Sequence, residues 1–501
     1  MFRPWFPKDV RPWIFLSFAL LFQLSGGVYF SNVAHMTGTS GLLREDWQFI
    51  AMCGVVGVNM PFPFIFRFKL RFTNGQILTT AALVVTVSGL LTLVTTNVPL
   101  LCALSYVAGF FKLVATFECF SNLRLWISPR QDFGVFLPTI YIVILGAMPL
   151  SNWMASQLTE FFGSWQAMHA AISLLMLALV LFVRLCIHPW RMMPHKLPLV
   201  SLDWLGCLLW SLVMLEVIWL FTYGEYYNWQ DSPTWRAVLL ALPLTLAASI
   251  GRMCHIRHPY LSPDVFRHWR LLPIMGMFLV AEVMNATPHV LQNTLTGGVL
   301  HWGWTATQSL YLPELLGYVG GCAFTIFWHR PLHQKYTRLL TLGFAALLLH
   351  QVLLYFYVSP ELDLPRLYLP TFLRTFGYAI FFSTMTLYLK DLIGFPTFLM
   401  ALTVSGFVRN GVVESISGGA YAYQLRRHIA DNLSRVDPLD IQNILLVSVK
   451  QMYGWICLAA TLVLLLMLLY DVQPVRSTMR RMRHPKVLAR IVRRQLSAAR
   501  G

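Results

Sequence analysis

Apolar residues fall into long blocks along the chain, separated by shorter stretches that hold most of the charged residues. Each block is about 20 residues long, and at 1.5 Å per residue a helix of that length crosses a hydrocarbon core of about 30 Å. The pattern therefore predicts an all-α membrane protein with fourteen transmembrane helices. Their expected positions are 12–34, 47–66, 77–95, 99–120, 133–156, 166–187, 204–222, 236–251, 272–294, 306–328, 338–358, 367–389, 395–422 and 452–471.

Two basic connections, 188–196 and 252–270, divide these helices into groups of six, two and six. Repeated six-helix halves are typical of secondary carriers, whose substrate site lies near the membrane midplane where the halves meet. The pattern thus predicts a major-facilitator-type fold. Its expected parts are an N-terminal half (1–190), two extra linker helices (191–260), a C-terminal half (261–473) and a basic cytoplasmic tail (474–501).

The composition agrees with lipid as the solvent, because 57% of the 501 residues are hydrophobic and only 12% are charged. Soluble domains are roughly 45–50% apolar and about 25% charged. Most Lys and Arg residues fall on the side of the two termini, which predicts that both termini are cytoplasmic. A bacterial inner (plasma) membrane is the expected location. Anionic membrane lipids account for the net charge of +17, so nucleic acid is not expected as a partner.

Two segments near the C-terminus lie outside the predicted helices. The connection 423–451 is the longest on the outside, and its length suits a small extracytoplasmic hairpin. The tail from Arg476 to Arg500 has apolar residues at near-helical spacing among its arginines. This spacing fits a short helix on the inner membrane surface as well as it fits a disordered basic tail.

No pattern in the sequence indicates an enzyme, a metal site or a cofactor. All eight cysteines lie in or beside apolar blocks without the paired spacing of zinc ligands or of a disulfide framework. A nucleotide-binding P-loop is also absent from the sequence. An ion gradient, with protons as the simplest ion, is therefore the expected source of energy.

Several short motifs carry a resemblance to a known family. They are Asn32-Val33-Ala34, Ser164-Trp165-Gln166-Ala167-Met168, Val290-Leu291-Gln292 followed by Gly297-Gly298 and Leu312-Pro313, and the glycine-associated arginines Arg374 and Arg409. With these motifs the chain resembles a divergent member of the fourteen-helix drug:proton antiporter family of the major facilitator superfamily. The resemblance runs over nearly the whole length. It implies proton-coupled export of a small molecule, with a periplasmic adaptor and an outer-membrane channel as partners in a two-membrane bacterium.

The chain departs from that family at polar positions that matter for mechanism. Gly27 and Leu70 stand where the family has acidic residues, and Ser105 stands where it has an arginine. Arg71 and Pro149 are retained, and the resemblance makes them the candidate gating residues. Proton coupling must therefore be argued from the ionisable residues that this chain does have in its helices.

Proton-coupling candidates are the carboxylates Glu282, Glu118 and Glu414. An ionisable group at membrane depth costs at least about 2.5–3.5 kcal/mol, so it normally faces the bundle interior and has a partner. Glu282 lies in the middle of an apolar block and is the first candidate to exchange a proton for substrate. A structural hydrogen bond to a neighbouring helix is an equal alternative, and Glu118 fits a structural or gating role better.

Candidates for the substrate cavity are polar residues at similar depth. Asn285 and Gln292 follow Glu282 by three and ten residues, which places these three on roughly one helical face. Together with His289 they could line a cavity. The full set of candidates is Asn32, Lys112, Asn285, His289, Gln292, Arg374 and Arg409. Lys112 and Glu118 stand six residues apart, about 240° around one helix, and cannot pair directly. Each arginine could neutralise a carboxylate on a neighbouring helix or an anionic substrate group.

These observations favour a multidrug-efflux-like exporter that takes lipophilic or amphipathic small molecules and is driven by protons. An importer or facilitator of a siderophore-like or lipid-like compound is the first alternative, because the usual antiport residues are missing. A membrane-embedded transferase is less favoured, since His169, His289 and His350 are scattered over different helices without a motif. A receptor or scaffold would have no evident need for ionisable residues at membrane depth.

Overall fold

The computed structural model describes residues 2–26, 33–191, 198–267, 271–329, 336–393, 395–434 and 440–482. Over these ranges the chain is α-helical and forms no β-strand, only an isolated bridge between Phe2 and Ile187. The α-helices are α1 (Arg11–Leu24), α2 (Val33–Ser40), α3 (Arg44–Asn59), α4 (Ile65–Arg71), α5 (Asn74–Val94), α6 (Val98–Ile127), α7 (Phe133–Phe162), α8 (Gln166–Cys186), α9 (Trp204–Thr222), α10 (Pro233–His255), α11 (Asp264–Arg267), α12 (Leu271–Asn285), α13 (Trp304–Thr307), α14 (Tyr311–His329), α15 (Tyr336–Tyr357), α16 (Tyr368–Ile393), α17 (Phe395–Gly406), α18 (Glu414–Leu433) and α19 (Ile441–Met482).

Short stretches of other helix types join or extend some of these elements. The 3₁₀ turns are Phe62–Phe64, Trp229–Asp231, Gln308–Leu310 and Leu364–Leu367, and the π-helical segments are Pro288–Gln292, Thr294–Val299 and Phe407–Val413. Two of the π-helical segments continue α12, and the third joins α17 to α18. π-helical turns shift the register of the side chains that follow them, and they often occur at functional sites.

Among the described residues, eleven helical stretches are long and apolar enough to cross a membrane. The predicted all-α membrane fold is thereby confirmed. Three predicted spans fall outside this set. Helix α1 is apolar but has only 14 residues. The stretches formed by α16 and by α17–α18 are not among the eleven that combine sufficient length with sufficient hydropathy. A helix lies at each predicted position, but the number of spans, fourteen, stays a prediction.

The helices pack in two groups that meet along two seams. In the first group α3 and α5 pack on α6, α5 packs on α8, and α1 packs on α6 and α7. In the second group α12, α14 and α15 pack on α16, and α15 packs on α19. One seam joins α7 to α14 and α16, and the other joins the α3–α4 region to α17 and the π-helical segment after it. The centre of the molecule therefore lies between α7, α16 and the α17–α18 stretch.

The linker helices α9 and α10 lie beside the second seam. Helix α9 contacts α3 on one side and α18 on the other, while α10 packs on α9. The buried carboxylate of Asp203 joins the start of α9 to the end of α10, because it accepts a hydrogen bond from Arg252 Nε at 2.7 Å and one from the backbone N–H of Tyr260 at 3.0 Å. Tyr260 in turn donates to the backbone oxygen of Met60, at the break between α3 and α4.

Two segments differ from the sequence-based expectation. Helix α18 continues to Leu433 and α19 begins at Ile441, so the predicted connection 423–451 is mostly helical. Asn432 Nδ2 joins the two helix ends by donating to Ser448 Oγ at 2.9 Å. Helix α19 also runs on to Met482, and the rest of the predicted tail lies outside the described residues.

Close contact between α3 and α6 depends on glycines. A Cβ atom added to Gly109 would overlap the backbone oxygen of Gly54, and one added to Gly57 would overlap the backbone oxygen of Tyr106. Neither backbone can move without separating the two helices. Small residues at such crossings let membrane helices approach closely, which is a main source of their packing energy.

We expect Gly109→Val to destabilise the protein by about 1–3 kcal/mol or more, because its side chain would push α6 away from α3. Gly251→Val in α10 is the matched control, since no atom lies within 4 Å of a Cβ added there. The thermal unfolding midpoint of purified protein in detergent measures both. Equal midpoints for the two variants would contradict the close-contact argument.

Candidate functional site

Most of the charged candidates from the second group of helices come together at its inner face. We call this set the central charge cluster, and it consists of Glu282, His289, Glu314, Arg374, Arg409 and Glu414. The members come from α12 and its π-helical continuation, α14, α16 and the α17–α18 stretch. They form three contacts between neighbouring helices.

Glu282 lies at the buried end of the cluster. Its side chain is 8% exposed, and Tyr378 donates a hydrogen bond from its hydroxyl to the Oε1 atom. Nε of Arg409 lies 3.6 Å from the same oxygen. The carboxylate thus has two neutral hydrogen-bonding partners, Tyr378 and Asn285, and a cationic partner, Arg409. Because it is so little exposed, its charge depends on these groups rather than on water.

Arg374 forms the second contact. Its Nη2 donates to Glu314 Oε1 at 2.6 Å, and its Nη1 donates to Asn285 Oδ1 at 3.0 Å. The arginine side chain is 8% exposed and that of Glu314 is 19% exposed. The guanidinium therefore joins α16 to both α12 and α14 through charge-assisted hydrogen bonds.

The third contact is the most accessible one. Nε2 of His289 lies 3.7 Å from Oε1 of Glu414, and the two side chains are 54% and 27% exposed. Glu414 is also within electrostatic range of Glu282 and Arg409. A proton or a charged ligand that enters the cluster at His289 and Glu414 would therefore affect Glu282.

Aromatic rings cover the buried side of the cluster. The guanidinium carbon of Arg409 lies 4.0 Å from the centre of the Phe382 ring, a distance suited to a cation–π interaction. Tyr378, one turn earlier in α16, stacks on Phe382 with 6.1 Å between the ring centres. Tyr141 of α7 meets the same ring at 4.6 Å. The cluster thus borders the seam between the two groups of helices.

The cluster contains three carboxylates and two guanidinium groups, so it carries one net negative charge when every carboxylate is ionised and His289 is neutral. An unbalanced charge is costly in a low-dielectric interior. One proton, or one cationic group from a ligand, would restore neutrality. The arrangement is therefore suited to holding either of them, but not to holding an additional anion.

Lys112 lies away from this cluster, among the first group of helices. It lines a cavity of about 80 Å³ between α1, α3, α5, α6 and α8. A Cβ atom added to Gly26 would overlap its Nζ atom, which places the ammonium at the C-terminal end of α1. The predicted candidate Asn32 lies outside the described residues.

Glu118 also lies apart from the cluster. Its carboxylate accepts hydrogen bonds from Lys69 Nζ at 3.0 Å and from Asn122 Nδ2 at 3.0 Å. The ion pair between Lys69 and Glu118 joins α4 to α6. Lys69 is therefore the cationic partner of Glu118, whereas Lys112 lies on another face of α6. Among the predicted proton-coupling residues, only Glu282 and Glu414 are close to each other.

The remaining predicted residues lie elsewhere. Gln292 belongs to the π-helical segment after α12, and no hydrogen bond among the described residues joins its side chain to the cluster. Arg71 is the last residue of α4, with its guanidinium 5.7 Å from the Phe72 ring. Pro149 is buried inside α7, two residues before Ser151, whose hydroxyl donates to the backbone oxygen of Leu24 at 2.8 Å.

Three members of this environment, Tyr378, Phe382 and Glu314, are not among the residues predicted from the sequence. A signal for the first two exists, because Arg374, Tyr378 and Phe382 are spaced four residues apart and therefore lie along one face of α16. Glu314 is an ionisable residue within the predicted span 306–328, but its partner comes from another helix and has no signature in the sequence.

Neither a family model nor a curated protein matches this sequence. The fold does match solved structures. The nucleoside transporter NupG (D323A mutant) has a TM-score of 0.53 at 13% identity, with 91% of this chain and 99% of that one covered. The human organic anion transporter MFSD10 (TETRAN) has a TM-score of 0.53 at 12% identity, with 92% and 100% covered. An auto-inhibited peptide transporter of the POT family has a TM-score of 0.55 at 15% identity, with 91% and 96% covered.

These likenesses extend over nearly the whole of each chain, and at 12–15% identity they show the fold. The predicted major-facilitator-type fold is confirmed. By their names, these solved proteins transport different substrates, and one fold can serve many functions. The function of this chain must therefore be argued from its own residues.

Proposed function

We propose that the protein is a proton-coupled secondary transporter that exports a lipophilic or amphipathic small molecule, with Glu282 as the proton carrier. The proposal includes fourteen spans in a six-two-six order and a divergent place in the drug:proton antiporter family. Its location would be a bacterial inner membrane with both termini in the cytoplasm. The major-facilitator-type fold supports this reading, because such folds place substrate and ion sites where the two halves meet.

The surroundings of Glu282 are the observation that carries the proposal. A buried carboxylate held by one tyrosine hydroxyl and one arginine has partners in both protonation states. When it is charged, Arg409 balances it at 3.6 Å. When it is protonated, Tyr378 still supplies a hydrogen bond. A group that can be satisfied in both states is suited to taking up and releasing a proton during a transport cycle.

The charge balance of the cluster indicates which substrates can exchange with the proton. With one net negative charge, the cluster is neutral when it holds either a proton or a monovalent cation. Binding of one would therefore disfavour binding of the other, which is the requirement for antiport. We infer that a cationic or amphipathic head group is a better fit than an anionic one.

The aromatic surface next to the cluster supports a lipophilic substrate. Phe382 and Tyr378 form one stacked pair, and Tyr141 brings a third ring from the other group of helices. Arg409 occupies the face of Phe382 at 4.0 Å, as a substrate cation could in its place. A substrate with an apolar body and a positive charge could thus contact both helix groups at once.

The experiment that tests this proposal is flux into proteoliposomes that contain the purified protein. A lipophilic cation, an anionic amphiphile and a lysolipid are each supplied with and without an imposed pH gradient. We expect the cation to accumulate against its own concentration gradient only when the pH gradient is present. Protein-free liposomes control for passive leakage of the cation.

Two other outcomes would change the reading. Flux that runs equally in both directions and ignores the pH gradient would indicate a facilitator. Flux coupled to the gradient in the same direction as the proton would indicate an importer. The adaptor and outer-membrane channel expected from the family resemblance remain part of the proposal. The helical hairpin formed by α18 and α19 is the surface we would test for adaptor contact by crosslinking.

A further inference from the structure

The cavity around Lys112 has a chemistry unlike that of the central charge cluster. Besides Lys112, it is lined by four serines, four glycines, His169 and a few aliphatic residues. The serines are Ser25, Ser88, Ser105 and Ser173. No Asp or Glu is among the described residues that line it, and residues 27–32, which follow Gly26 in the chain, include none either. The cavity is therefore positive and rich in hydroxyl groups.

Two acidic residues on helices that line the cavity have other partners. Glu118, on the same helix, is paired with Lys69 at 3.0 Å. Asp46, in the first turn of α3, accepts a hydrogen bond from Tyr223 Oη at 2.5 Å and another from the backbone of Leu43 at 3.0 Å. An ammonium without a counter-charge is unfavourable in a membrane protein interior. The C-terminal carbonyls of α1 offer only a partial negative charge.

Hydroxyl donors face the cavity from three different helices. Ser88, Ser105 and Ser173 belong to α5, α6 and α8, and each is at most 5% exposed. The Oγ atom of Ser173 is buried and has no hydrogen-bond partner among the described residues. A buried hydroxyl without a partner is uncommon in a native structure and calls for an explanation. An anion in the cavity would accept its hydrogen bond.

The size of the cavity limits what could bind. The cavity has a volume of about 80 Å³, which is more than the roughly 10–15 Å³ that a single water requires on the same scale. A halide ion or a single carboxylate group with one or two waters would fit.

We propose that this cavity is a binding site for a compact monovalent anion, held by the ammonium of Lys112 and by the hydroxyl of Ser173. The anion supplies the counter-charge for Lys112 and links the end of α1 to α6 and α8. The source of the anion is free chloride or the carboxylate of an organic solute. The site lies outside the central charge cluster, so binding does not depend on the proposed proton-coupled function.

The test uses the purified full-length protein in detergent, dialysed into gluconate, an anion too large for the cavity. Chloride, bromide or acetate then replaces gluconate at constant ionic strength, and the thermal unfolding midpoint is measured. We expect a saturable rise with chloride and bromide that is absent in Lys112→Met and clearly weaker in Ser173→Ala. Two matched controls, Lys390→Met and Ser383→Ala, alter a lysine and a buried serine elsewhere and should respond as the wild type does.

The arms of the test separate the sources of the anion. Stabilisation by chloride and bromide identifies an inorganic anion, and stabilisation by acetate alone identifies a carboxylate group. A midpoint that ignores all three anions, or a rise that persists in Lys112→Met, overturns the site. If Lys112→Met does not fold, binding of radiolabelled chloride or acetate is measured instead on the wild type and on Ser173→Ala. About one ion bound per chain supports the site, and no saturable binding of either overturns it.

Discussion

Replacing Glu282 with glutamine is expected to lower gradient-driven flux by about tenfold or more, a loss within the range of typical coupling energies between two sites. Glutamine has nearly the shape of the carboxyl group and can still accept the hydrogen bond from Tyr378. It cannot, however, bind or release the proton. Initial rates in proteoliposomes under an imposed pH gradient measure the effect.

The same variant should keep the activity that needs no proton movement. Exchange of labelled for unlabelled substrate across the membrane, without a pH gradient, is therefore expected to continue. Glu216→Gln is a matched control, because Glu216 lies in α9 and accepts a hydrogen bond from Thr245 at 2.5 Å, away from the cluster. Gradient-driven flux that survives in Glu282→Gln would rule out Glu282 as the proton carrier. Equal loss in Glu216→Gln would point to general damage.

The positions of the helices could be predicted because their cause is local. A block of about 20 apolar residues suits a bilayer whatever its neighbours are. Local reasoning was wrong for the polar residues 423–433, which were predicted to belong to the connection between two helices. Residues 423–433 continue α18, because their helix end is held by contacts with α19 such as Asn432 to Ser448. That contact joins residues from two helices and has no signature in the sequence of either one.

The residues of the site could be predicted only in part. Ionisable residues at membrane depth are rare, so Glu282, Arg374, Arg409 and Glu414 could be found from the sequence as candidates. Their partners could not be found, because they come from other helices. Regular α-helical spacing places Gln292 on the same helical face as Glu282. The π-helical turn at Pro288–Gln292, however, changes the register of the side chains after α12. Extrapolation along one face therefore stops being reliable at that turn.

Two basic residues within the helices, Lys112 and Arg409, also illustrate what the sequence leaves open. Lys112 and Arg409 are both single basic residues within apolar blocks, and the sequence treats them alike. In the structure, Arg409 has a carboxylate at 3.6 Å and an aromatic ring at 4.0 Å, whereas Lys112 lines a cavity rich in serine hydroxyls. Their expected roles differ for that reason: Arg409 balances the charge of the proposed proton carrier Glu282, and Lys112 binds the proposed anion.

Replacing Arg374 with methionine is expected to destabilise the protein by about 3–5 kcal/mol, because it leaves the partly buried carboxylate of Glu314 without its counter-charge. The change also removes the 3.0 Å hydrogen bond to Asn285 that ties α16 to α12. The free energy of unfolding, measured by denaturant titration in mixed micelles, tests this. Arg366→Met is the control, since that arginine is exposed in the 3₁₀ turn before α16 and should change stability by no more than about 0.5 kcal/mol.

The double variant Arg374→Met with Glu314→Gln separates the charge effect from the loss of packing. If the unpaired carboxylate causes most of the destabilisation, neutralising Glu314 should restore most of the lost stability. If stability stays as low as in the single variant, the hydrogen bond to Asn285 or the packing of the arginine against its neighbours is the larger effect. In that case the ion pair at 2.6 Å would contribute little to stability, and its two charges would have to serve transport instead.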